Sequence, residues 1–259
     1  RITITRMEIM DFKNKVVIVT GGSGGIGEAT SLLFGKAGAQ VVLVGRNEAK
    51  LKAVEAKFAG QKPLVVKADI CKDSEAKSVV QKTIEKFGKV DVLVNNAGVF
   101  HAGNLMDGSI VSIYDDIMNV NFRAAVVLTS YAAPHLAKTK GNVVNISSAL
   151  GFVPTKLPGG HIYAASKAAI IHFTQAAAIE MAPHGVRVNV VSPGPVSTEM
   201  IGDQNFTPEI QEHVKQSTLL KKFASPDEIG EAILFLAGDK AKSVTGSNFI
   251  FDNGFALGQ

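Results

Sequence analysis

Short runs of β-branched residues recur along this chain, and stretches long enough for a helix separate them. The runs read KVVIVT, QVVLVG, PLVVKAD, VDVLVNN, NVVNIS and VRVNVVS. Strands that alternate with helices indicate βαβ units, and runs that are apolar at almost every position indicate a parallel sheet buried on both faces. The sequence therefore predicts an α/β fold in which helices cover a doubly wound, mainly parallel sheet. With a last strand near 247–251, the sheet has about seven strands.

The segments between these runs predict the helices and the extent of the domain. We expect helices near 25–37, 48–59, 74–87, 110–137, 163–182 and 226–236. A chain of 259 residues suits one domain with a large core. We place that domain at 11–259 and treat 1–10 as an N-terminal extension, in which the residues before Met7 are partly foreign to the natural chain.

Composition and charge are those of an ordinary soluble protein. Hydrophobic residues make up 46% and charged residues 19% of the chain, a balance that does not suit a disordered protein. The net charge of +4 comes from lysines scattered among acidic residues, so we expect solvated helix faces and no nucleic-acid partner. No apolar run approaches the roughly 18 to 20 residues of a membrane span, and the first residues lack a signal-peptide core. We therefore expect a soluble cytoplasmic protein.

Cysteine and histidine usage narrows the chemistry. The single cysteine, Cys71, excludes an internal disulfide, and buried packing explains it better than a catalytic role. The six histidines are widely spaced, with no H-E-x-x-H motif and no cysteine cluster, so we expect no metal site. The absence of a G-x-S-x-G motif argues against a serine hydrolase. His161 either faces a substrate or occupies a polar loop position, and the loop interpretation is favoured.

A glycine-rich turn, TGGSGGIG at 20–27, follows the first predicted strand and begins the first predicted helix. Backbone N–H groups and the helix dipole then face the space above the turn, which suits a pyrophosphate. The glycine pattern alone is weak, but a strand before it and a helix after it favour a dinucleotide-binding motif over a tight turn without a ligand. The residues expected to contact a cofactor here are Thr20, Gly21, Ser23, Gly24, Gly25, Ile26 and Gly27.

The end of the second strand predicts which dinucleotide binds. An acidic residue usually holds the ribose hydroxyls at this place, but the strand ends VVLVGRN, with Gly45 in the acidic position and Arg46 after it. A guanidinium matches a 2′-phosphate with two hydrogen bonds, whereas a carboxylate repels it. The sequence therefore favours NADP(H). The alternative is an Arg46 that is simply exposed, and Glu48 leaves NAD(H) possible.

Three side chains suggest acid–base chemistry. Tyr163 follows Ser148 by fifteen residues, and Lys167 follows Tyr163 by four. On a helix, the phenol and the ammonium then share one face. A cation held there lowers the pKa of a tyrosine from its usual value of about 10. Tyr163 is therefore a candidate general acid or base.

Several motifs occur together and in one order. They are Thr20-Gly21-x-x-x-Gly25-x-Gly27, Asn95-Asn96-Ala97-Gly98, Asn121, Ser148, Tyr163-x-x-x-Lys167 and Pro193-Gly194. In these motifs the chain strongly resembles the short-chain dehydrogenases/reductases, and the resemblance covers about residues 12 to 255. It implies a single-domain Rossmann-like fold, and an enzyme that interconverts a carbonyl group and an alcohol with a nicotinamide dinucleotide.

The resemblance implies a role for each catalytic candidate. Tyr163 matches the acid or base that protonates the carbonyl oxygen as hydride arrives from the nicotinamide. Lys167 matches the lysine that binds the nicotinamide ribose and lowers the tyrosine pKa. Ser148, rather than its neighbour Ser147, matches the serine that hydrogen-bonds the substrate oxygen. Asn121 matches an asparagine that holds a proton-relay water, although a polar residue at a helix kink is the alternative.

The resemblance also extends the cofactor site. The NNAG segment is expected to support the sheet and line the adenine ribose, and the end of the third strand to contact the adenine. The loop after the sixth strand is expected to hold the carboxamide, although Thr198 could instead cap a helix. The residues are Asn95, Asn96, Ala97, Gly98, Asp69, Ile70, Pro193, Gly194, Val196 and Thr198.

Segment 193–218, rich in Pro, Gly, Ser and Thr, is predicted to be a mobile cover over the substrate, with a plain connector as the alternative. The side chains expected around the substrate are apolar, and no arginine pair is placed to hold a carboxylate or phosphate. We therefore expect an apolar ketone or secondary alcohol, such as a steroid-like or isoprenoid compound, with an acyl-carrier-bound 3-ketoacyl substrate as the alternative. The pocket residues are Leu150, Phe152, Val153, Leu157, Met200, Ile201 and Phe206.

Rival interpretations stay open. One is an NAD-dependent alcohol dehydrogenase, and another is a non-catalytic NADP(H)-binding regulator. Relatives commonly form tetramers, and alanine-rich segments on the fourth and fifth predicted helices suit close packing in a homotetramer, although these alanines also suit packing on the chain's own sheet. Two features depart from the common family pattern. The segment between Ser148 and Tyr163 is slightly long, and D-G-G is replaced by Asp252-Asn253-Gly254.

Overall fold

One seven-stranded sheet forms the centre of the protein. The computed structural model describes residues 10–154, 159–202 and 207–258. The strands are β1 (Val16–Thr20), β2 (Gln40–Gly45), β3 (Leu64–Lys67), β4 (Val92–Asn95), β5 (Asn142–Ile146), β6 (Arg187–Pro193) and β7 (Asn248–Phe251). They lie in the order β3-β2-β1-β4-β5-β6-β7, and every neighbouring pair is parallel. The predicted doubly wound sheet is confirmed, and within the described residues it is wholly parallel.

Helices connect the strands and cover the sheet. They are α1 (Gly25–Lys36), α2 (Glu48–Ala56), α3 (Asp73–Phe87), α4 (Ile110–Met118), α5 (Ala124–Thr139), α6 (His161–Met181), α7 (Glu199–Gly202), α8 (Pro208–Gln216) and α9 (Pro226–Ala237). The predicted boundaries differ from these by at most three residues, with two larger exceptions. A π-helical turn, Asn119–Arg123, divides the helix predicted at 110–137 into α4 and α5.

The second exception is that α7 and α8 lie inside the segment predicted as a mobile cover, where no helix was predicted, and α8 is the longer of the two. Thr207 begins this helix, because its hydroxyl oxygen accepts a hydrogen bond from the Ile210 N–H at 3.4 Å. Pro208 occupies the first turn, where its missing N–H costs no helical hydrogen bond. A threonine cap followed by proline is a recognisable start signal, so the sequence did contain the information.

The alternation of side chains along β1 explains why the sheet needs helices on both faces. Val17 and Val19 belong to one buried apolar cluster, which includes residues of α1, α2 and α9. Val16 and Ile18 point the other way, into a cluster with residues of α3, α5 and α6. All four side chains are at most 1% exposed. The sheet is therefore the middle layer of three.

The order of the strands reverses at β1, and this reversal positions a crevice. From β1 the chain proceeds outward to β2 and β3, and then returns to β4 on the other side of β1. Ligands of open parallel sheets bind where the carboxyl ends of two such strands diverge. The ends of β1 and β4 are joined here, because the Thr20 hydroxyl oxygen accepts from the Asn96 N–H at 3.0 Å and the Asn96 amide donates to the Thr20 carbonyl at 2.9 Å.

Membrane spans and metal sites were searched for among the described residues. None of the helices there combines the length and apolar character that a membrane span requires. In the same ranges, no three His, Cys, Asp or Glu side chains come together as metal ligands would.

Candidate active site

A cavity of about 1100 Å³ lies over the carboxyl ends of the central strands. It extends from the end of β2 and β3, across the glycine-rich turn, to the start of α6 and the inner face of α8. Most residues predicted to bind a cofactor line it, so chain segments that are distant in sequence meet at one site. They are Thr20, Gly21, Ser23, Gly24, Gly25, Ile26, Arg46, Asp69, Ile70, Asn96, Ala97, Gly98, Tyr163, Lys167, Pro193, Gly194, Val196 and Thr198.

The glycine-rich turn has the shape that a diphosphate group requires. Gly21 has a φ of +65°, and a Cβ on it would lie 3.0 Å from the Cα of Ala97, so only glycine fits. Gly24 precedes α1 without any side-chain cap among the described residues. The N–H groups of the first helical turn are therefore available to an anion, and the helix dipole favours one. The turn fits the phosphates of a dinucleotide.

Two predicted cofactor contacts need correction. Gly27 is not among the residues that line the cavity, and a Cβ on it would lie 2.2 Å from the Gly21 carbonyl oxygen. Its role is the close packing of α1 on the turn. Asn95 is also turned away from the cavity, and its amide donates to the Thr129 hydroxyl at 3.0 Å and the Asn145 side chain at 2.8 Å. These hydrogen bonds support the sheet, and Asn95 is not among the residues that line the cavity.

At the end of β2, the positively charged Arg46 follows Gly45, a residue that has no side chain. Gly45 and Arg46 both line the cavity, and Arg46 is exposed at its edge. A Cβ on Gly45 would lie 3.5 Å from the Ser23 hydroxyl oxygen. The carboxylate of Glu48, which left NAD(H) possible, is 3.2 Å from Lys52 and 3.9 Å from Lys67. It is therefore engaged outside the cavity.

The neighbouring thiol has none of the properties of a nucleophile. Cys71 lines the same end of the cavity. Burial, helped by the negative charge of Asp69, raises the pKa of the thiol to about 11. A thiol that stays protonated at neutral pH is unreactive.

Ser148 and Tyr163 meet at the other end of the cavity. Ser148 follows β5 and begins a short 3-10 turn, where its hydroxyl oxygen accepts from the Leu150 N–H at 3.2 Å. Tyr163 lies in the first turn of α6, and its hydroxyl is hydrogen-bonded to the Ser148 side chain. Ser147 has a different partner, since its hydroxyl donates to the Lys167 carbonyl at 2.7 Å. Its hydrogen bond holds β5 to α6.

Lys167 lies behind the tyrosine in an almost fully buried position. Its side chain is 4% exposed, and the ammonium donates to the Ile146 carbonyl at 3.0 Å. The nitrogen lies 5.6 Å from the centroid of the Tyr163 ring. A Cβ on Gly98 would lie 3.4 Å from the same nitrogen, so glycine there leaves the ammonium its space. The predicted shared face of the helix is confirmed.

The expected direction of the tyrosine pKa shift is wrong for this structure. Burial raises the pKa of Tyr163 to about 12, and the hydrogen bond with Ser148 opposes only part of that shift. Burial also lowers the pKa of Lys167 to about 8. Attraction between the ammonium and the phenolate would lower the tyrosine pKa. Both groups lose water on folding, however, and this desolvation penalises both charged forms.

Asn121 also has a different environment from the one expected for a catalytic residue. It lies in the π-helical turn and is 2% exposed, away from the cavity. Its side-chain oxygen accepts from the Val99 N–H at 2.8 Å, and its amide donates to the Val99 carbonyl at 3.0 Å and the Ser166 hydroxyl at 3.1 Å. These hydrogen bonds fit a polar residue at a helix kink, and the proton-relay role of Asn121 stays a prediction. Asn121 positions the segment after β4 against α6.

The substrate end of the cavity is only partly as predicted. Leu150, Met200 and Ile201 line it, whereas Phe152 and Val153 do not, and Phe152 is 40% exposed. Leu157 and Phe206 lie outside the described residues.

Sequence reasoning missed one aromatic neighbour and one whole face of the pocket. The Phe100 ring meets the Tyr163 ring edge-on, with 5.4 Å between centroids. The missed face of the pocket is one side of α8, and the amphipathic pattern of this helix could have indicated it. The missed lining residues include Lys50, Phe100, Glu199, Glu209, Ile210, His213, Val214 and Phe255. His161 is exposed and does not line the cavity, but it is the first residue of α6 and not a loop residue.

Known oxidoreductases are similar to this protein along nearly the whole chain. A family model described as enoyl-(acyl carrier protein) reductase matches residues 21–256. The chain is 35% identical over 248 residues to a meso-2,3-butanediol dehydrogenase of Serratia marcescens, covering 95% of this chain and 96% of that protein. It is 34% identical over 261 residues to a 3-oxoacyl-[acyl-carrier-protein] reductase of Thermotoga maritima, covering 96% and 100%.

Solved structures show the same similarity in three dimensions. A short-chain type dehydrogenase/reductase from Mycobacterium marinum has a TM-score of 0.89 at 28% identity, covering 96% of this chain and 98% of that one. A 3-ketoacyl-(acyl-carrier-protein) reductase from Brucella melitensis, in complex with NADH, has a TM-score of 0.87 at 31% identity, covering 95% and 100%.

Proposed function

The chain belongs to the short-chain dehydrogenase/reductase family of oxidoreductases, which act on alcohol and carbonyl groups, and from this premise we propose that it is an NADP(H)-dependent reductase of an apolar ketone. One observation carries the proposal. The hydrogen-bonded hydroxyls of Ser148 and Tyr163 stand at one end of a continuous cavity, and the Arg46 guanidinium stands at the other.

The chemistry divides between the cofactor and the chain. When bound, NADPH supplies the hydride that adds to the carbonyl carbon. Tyr163 donates the proton that the carbonyl oxygen takes up, and Ser148 donates a hydrogen bond to the same oxygen, so that a ketone, a hydride and a proton give a secondary alcohol. A tyrosine whose pKa is raised to about 12 carries its proton at neutral pH. This protonation state favours the reducing direction.

The preference for NADP(H) rests on the end of β2. Gly45 leaves that position without a side chain, and the carboxylate of Glu48 pairs with Lys52 outside the cavity. A 2′-phosphate there meets the exposed Arg46 and no facing carboxylate at Gly45. NAD(H) is the alternative, and the NADH complex of the Brucella relative is the observation that favours it.

The proposed substrate is an apolar ketone, such as a steroid-like or isoprenoid compound. Leu150, Met200 and Ile201 supply apolar walls around the hydroxyls of Ser148 and Tyr163. A 3-ketoacyl substrate is the second candidate, because the Thermotoga maritima relative is a 3-oxoacyl-[acyl-carrier-protein] reductase. Hydroxyketones are a third class to test, since the Serratia marcescens relative is a meso-2,3-butanediol dehydrogenase.

A spectroscopic screen tests the proposal. Oxidation of NADPH and NADH is followed at equal concentration with apolar ketones, hydroxyketones and a 3-ketoacyl thioester. We expect faster turnover with NADPH, loss of that preference in Arg46→Asp, and a fall in kcat of about 100-fold or more in Tyr163→Phe. Near-normal turnover by Tyr163→Phe would remove the acid role. Tight NADPH binding without turnover of any substrate would favour a non-catalytic regulator.

We also propose that the protein is a homotetramer. Apolar side chains are exposed on α6 and along the C-terminal edge, including Ile179 at 79%, Ile250 at 50% and Leu257 at 83%. By contrast, Ala132 and Ala177 are buried against the chain's own sheet, which supports the alternative explanation for those alanines. The exposed groups are the better candidates for subunit contacts. The mass in solution, measured by light scattering, decides between a tetramer and smaller forms.

A further inference from the structure

Lys50 and Glu199 form an ion pair across the mouth of the cavity. The Lys50 Nζ lies 2.6 Å from the Glu199 Oε2, although 149 residues separate them in the chain. Lys50 lies in the first turn of α2, directly after the strand end that carries Arg46, and Glu199 begins α7. Both side chains line the cavity. The pair therefore joins the strand-end side of the site to the segment that follows β6.

Lys50 lines the same cavity as Gly45 and Arg46, and it lies in the first turn of the helix that follows them. The Ser23 hydroxyl oxygen lies 3.5 Å from the place of a Cβ on Gly45, and Arg46 is the next residue. Across the part of the chain that the structure describes, Arg46 makes no hydrogen bond or ion pair of its own. Two cationic side chains, Arg46 and Lys50, thus line the cavity, and of the two only Lys50 pairs with a carboxylate.

Glu199 also stands close to the glycine-rich turn. Its Oε1 lies 3.9 Å from the place of a Cβ on Gly24, the residue that precedes α1. The N-terminus of a helix attracts negative charge. One carboxylate is therefore near two positive features of the cavity, the Lys50 ammonium and the start of α1. The phosphate groups of a dinucleotide would compete with it for both.

We propose that Lys50 is a specificity-determining residue that binds the 2′-phosphate of NADP(H) together with Arg46, and that Glu199 is the carboxylate which this phosphate displaces. The inference rests on the NADP(H) preference proposed above. The exchange is favourable because the side chains of the pair are 50% and 76% exposed, and exposed ion pairs contribute little stability. A phosphate that carries up to two negative charges attracts the ammonium more strongly than a single carboxylate does.

The proposal predicts opposite effects for the two partners. Lys50→Gln removes a contact that NADPH makes and NADH lacks, so NADPH affinity should fall about tenfold while NADH affinity changes less than about twofold. Glu199→Gln removes the competing charge, so NADPH should bind several times more tightly. The gain in NADH affinity should be smaller, because NADH has no 2′-phosphate and only its diphosphate, near the start of α1, would approach Glu199. When both substitutions are combined, Glu199→Gln should improve NADPH affinity less than it does alone, because there is no longer a Lys50 ammonium to release from the ion pair.

The experiment measures dissociation constants of NADPH and NADH by fluorescence titration at one fixed ionic strength. Lys52→Gln is the matched control, because Lys52 lies on the same helix, pairs with Glu48 at 3.2 Å and does not line the cavity. It should leave both affinities unchanged. Arg46→Gln is measured in parallel. It distinguishes an error in the role proposed for Lys50 from an error in the proposed preference for NADP(H).

Each outcome decides the matter. A loss of affinity in Lys50→Gln that is confined to NADPH, with the opposite effect in Glu199→Gln, supports the proposal. If Lys50→Gln weakens NADPH and NADH equally, or neither, while Arg46→Gln still weakens NADPH alone, the role of Lys50 is overturned and the cofactor preference stands. If the unmodified protein does not prefer NADPH, both fail together.

Discussion

The Lys167 ammonium lies 5.6 Å from the centroid of the Tyr163 ring, yet the two side chains have different hydrogen-bond partners. The lysine donates to the Ile146 carbonyl at 3.0 Å, and the tyrosine is bonded to Ser148. Burial dominates both ionisations, raising the pKa of Tyr163 to about 12 and lowering the pKa of Lys167 to about 8. The lysine is therefore the group of the pair that titrates near working pH.

The first prediction concerns the pH dependence of catalysis. We expect kcat/KM for ketone reduction to stay level below pH 8 and to fall above it, because the pKa of Lys167 is lowered to about 8 and its charge is lost there. Tyr163 keeps its proton over this range, since its pKa is raised to about 12. Initial rates at low substrate concentration between pH 6 and pH 10 check this. A single decline centred near pH 10 would show instead that the tyrosine titrates at its ordinary pKa.

The same pKa shift makes folding stability depend on pH. Between pH 8 and about 10.4, the unfolded chain holds the Lys167 proton and the folded protein does not, so this group adds stability as pH rises. Tyr163 acts in the opposite sense above about pH 10, where only the folded protein keeps its proton. We expect the unfolding free energy of the unmodified protein to gain roughly 1 to 3 kcal/mol relative to Lys167→Met between pH 7.5 and 9.5. Urea unfolding of both proteins at both pH values measures the difference, and a parallel response would contradict it.

The adjacent serines Ser147 and Ser148 provide a matched pair of variants. Ser148→Ala removes the hydroxyl beside Tyr163, so kcat should fall about 100-fold while the dissociation constant of NADPH stays the same. Ser147→Ala removes the hydrogen bond to the Lys167 carbonyl, which costs about 1 to 3 kcal/mol of stability and leaves kcat within a few-fold. Thermal unfolding and steady-state kinetics on both proteins test the assignment. An equal loss of kcat in the two variants would show that the serines do not have separate roles.

The elements and residues that the sequence predicted well are those fixed by local patterns. Apolar runs predicted six of the seven strands, because a strand buried on both faces needs apolar residues at nearly every position. The seventh was predicted near 247–251 and is Asn248–Phe251. The glycine-rich turn was equally readable, since Gly21 must adopt a positive φ beside Ala97. Both features depend on neighbours in sequence or on backbone geometry that one residue type satisfies.

The contacts that the sequence did not predict join side chains that are distant in sequence. Asn95 has the sequence context of a cofactor residue, but its amide bonds to Asn145, fifty residues later, on the adjacent strand. Asn121 is occupied by Val99 and Ser166. The ion pair of Lys50 with Glu199 exists only because α2 and α7 meet over the cavity. No local pattern specifies such contacts, and the extent of burial that sets the pKa of Tyr163 is likewise a property of the whole fold.

Gly45 offers a direct test of cofactor choice. A Cβ there would lie 3.2 Å from a methyl carbon of Leu51 and 3.5 Å from the Ser23 hydroxyl oxygen, so a small shift of flexible side chains admits a substitution. In Gly45→Asp, we expect kcat/KM with NADPH to fall about 100-fold, because a carboxylate repels the 2′-phosphate, while the value with NADH is kept or rises. Gly45→Asn has the same bulk without the charge and should affect both cofactors mildly. Equal losses with both cofactors in Gly45→Asp would indicate steric damage.

Asn253 explains how the chain tolerates its departure from the D-G-G pattern. Its φ is +52°, a left-handed conformation that asparagine adopts more readily than other residues with a Cβ. Its carbonyl accepts from the Leu220 N–H at 3.1 Å, and its amide donates to the Lys222 carbonyl at 3.2 Å. The residue therefore holds the chain after α8 against the end of β7.

Substitution of Asn253 should separate backbone strain from the loss of these contacts. Asn253→Gly keeps the conformation and loses one exposed hydrogen bond, so stability should change by less than about 1 kcal/mol. Asn253→Val should cost about 2 kcal/mol, because a β-branched residue resists a positive φ, and it should raise the KM for ketone by loosening the chain beside α8. Denaturant unfolding and steady-state kinetics of the two variants check both effects. Equal stability of the two would show that the conformation at this position adapts, and an unchanged KM in Asn253→Val would show that α8 is held independently of it.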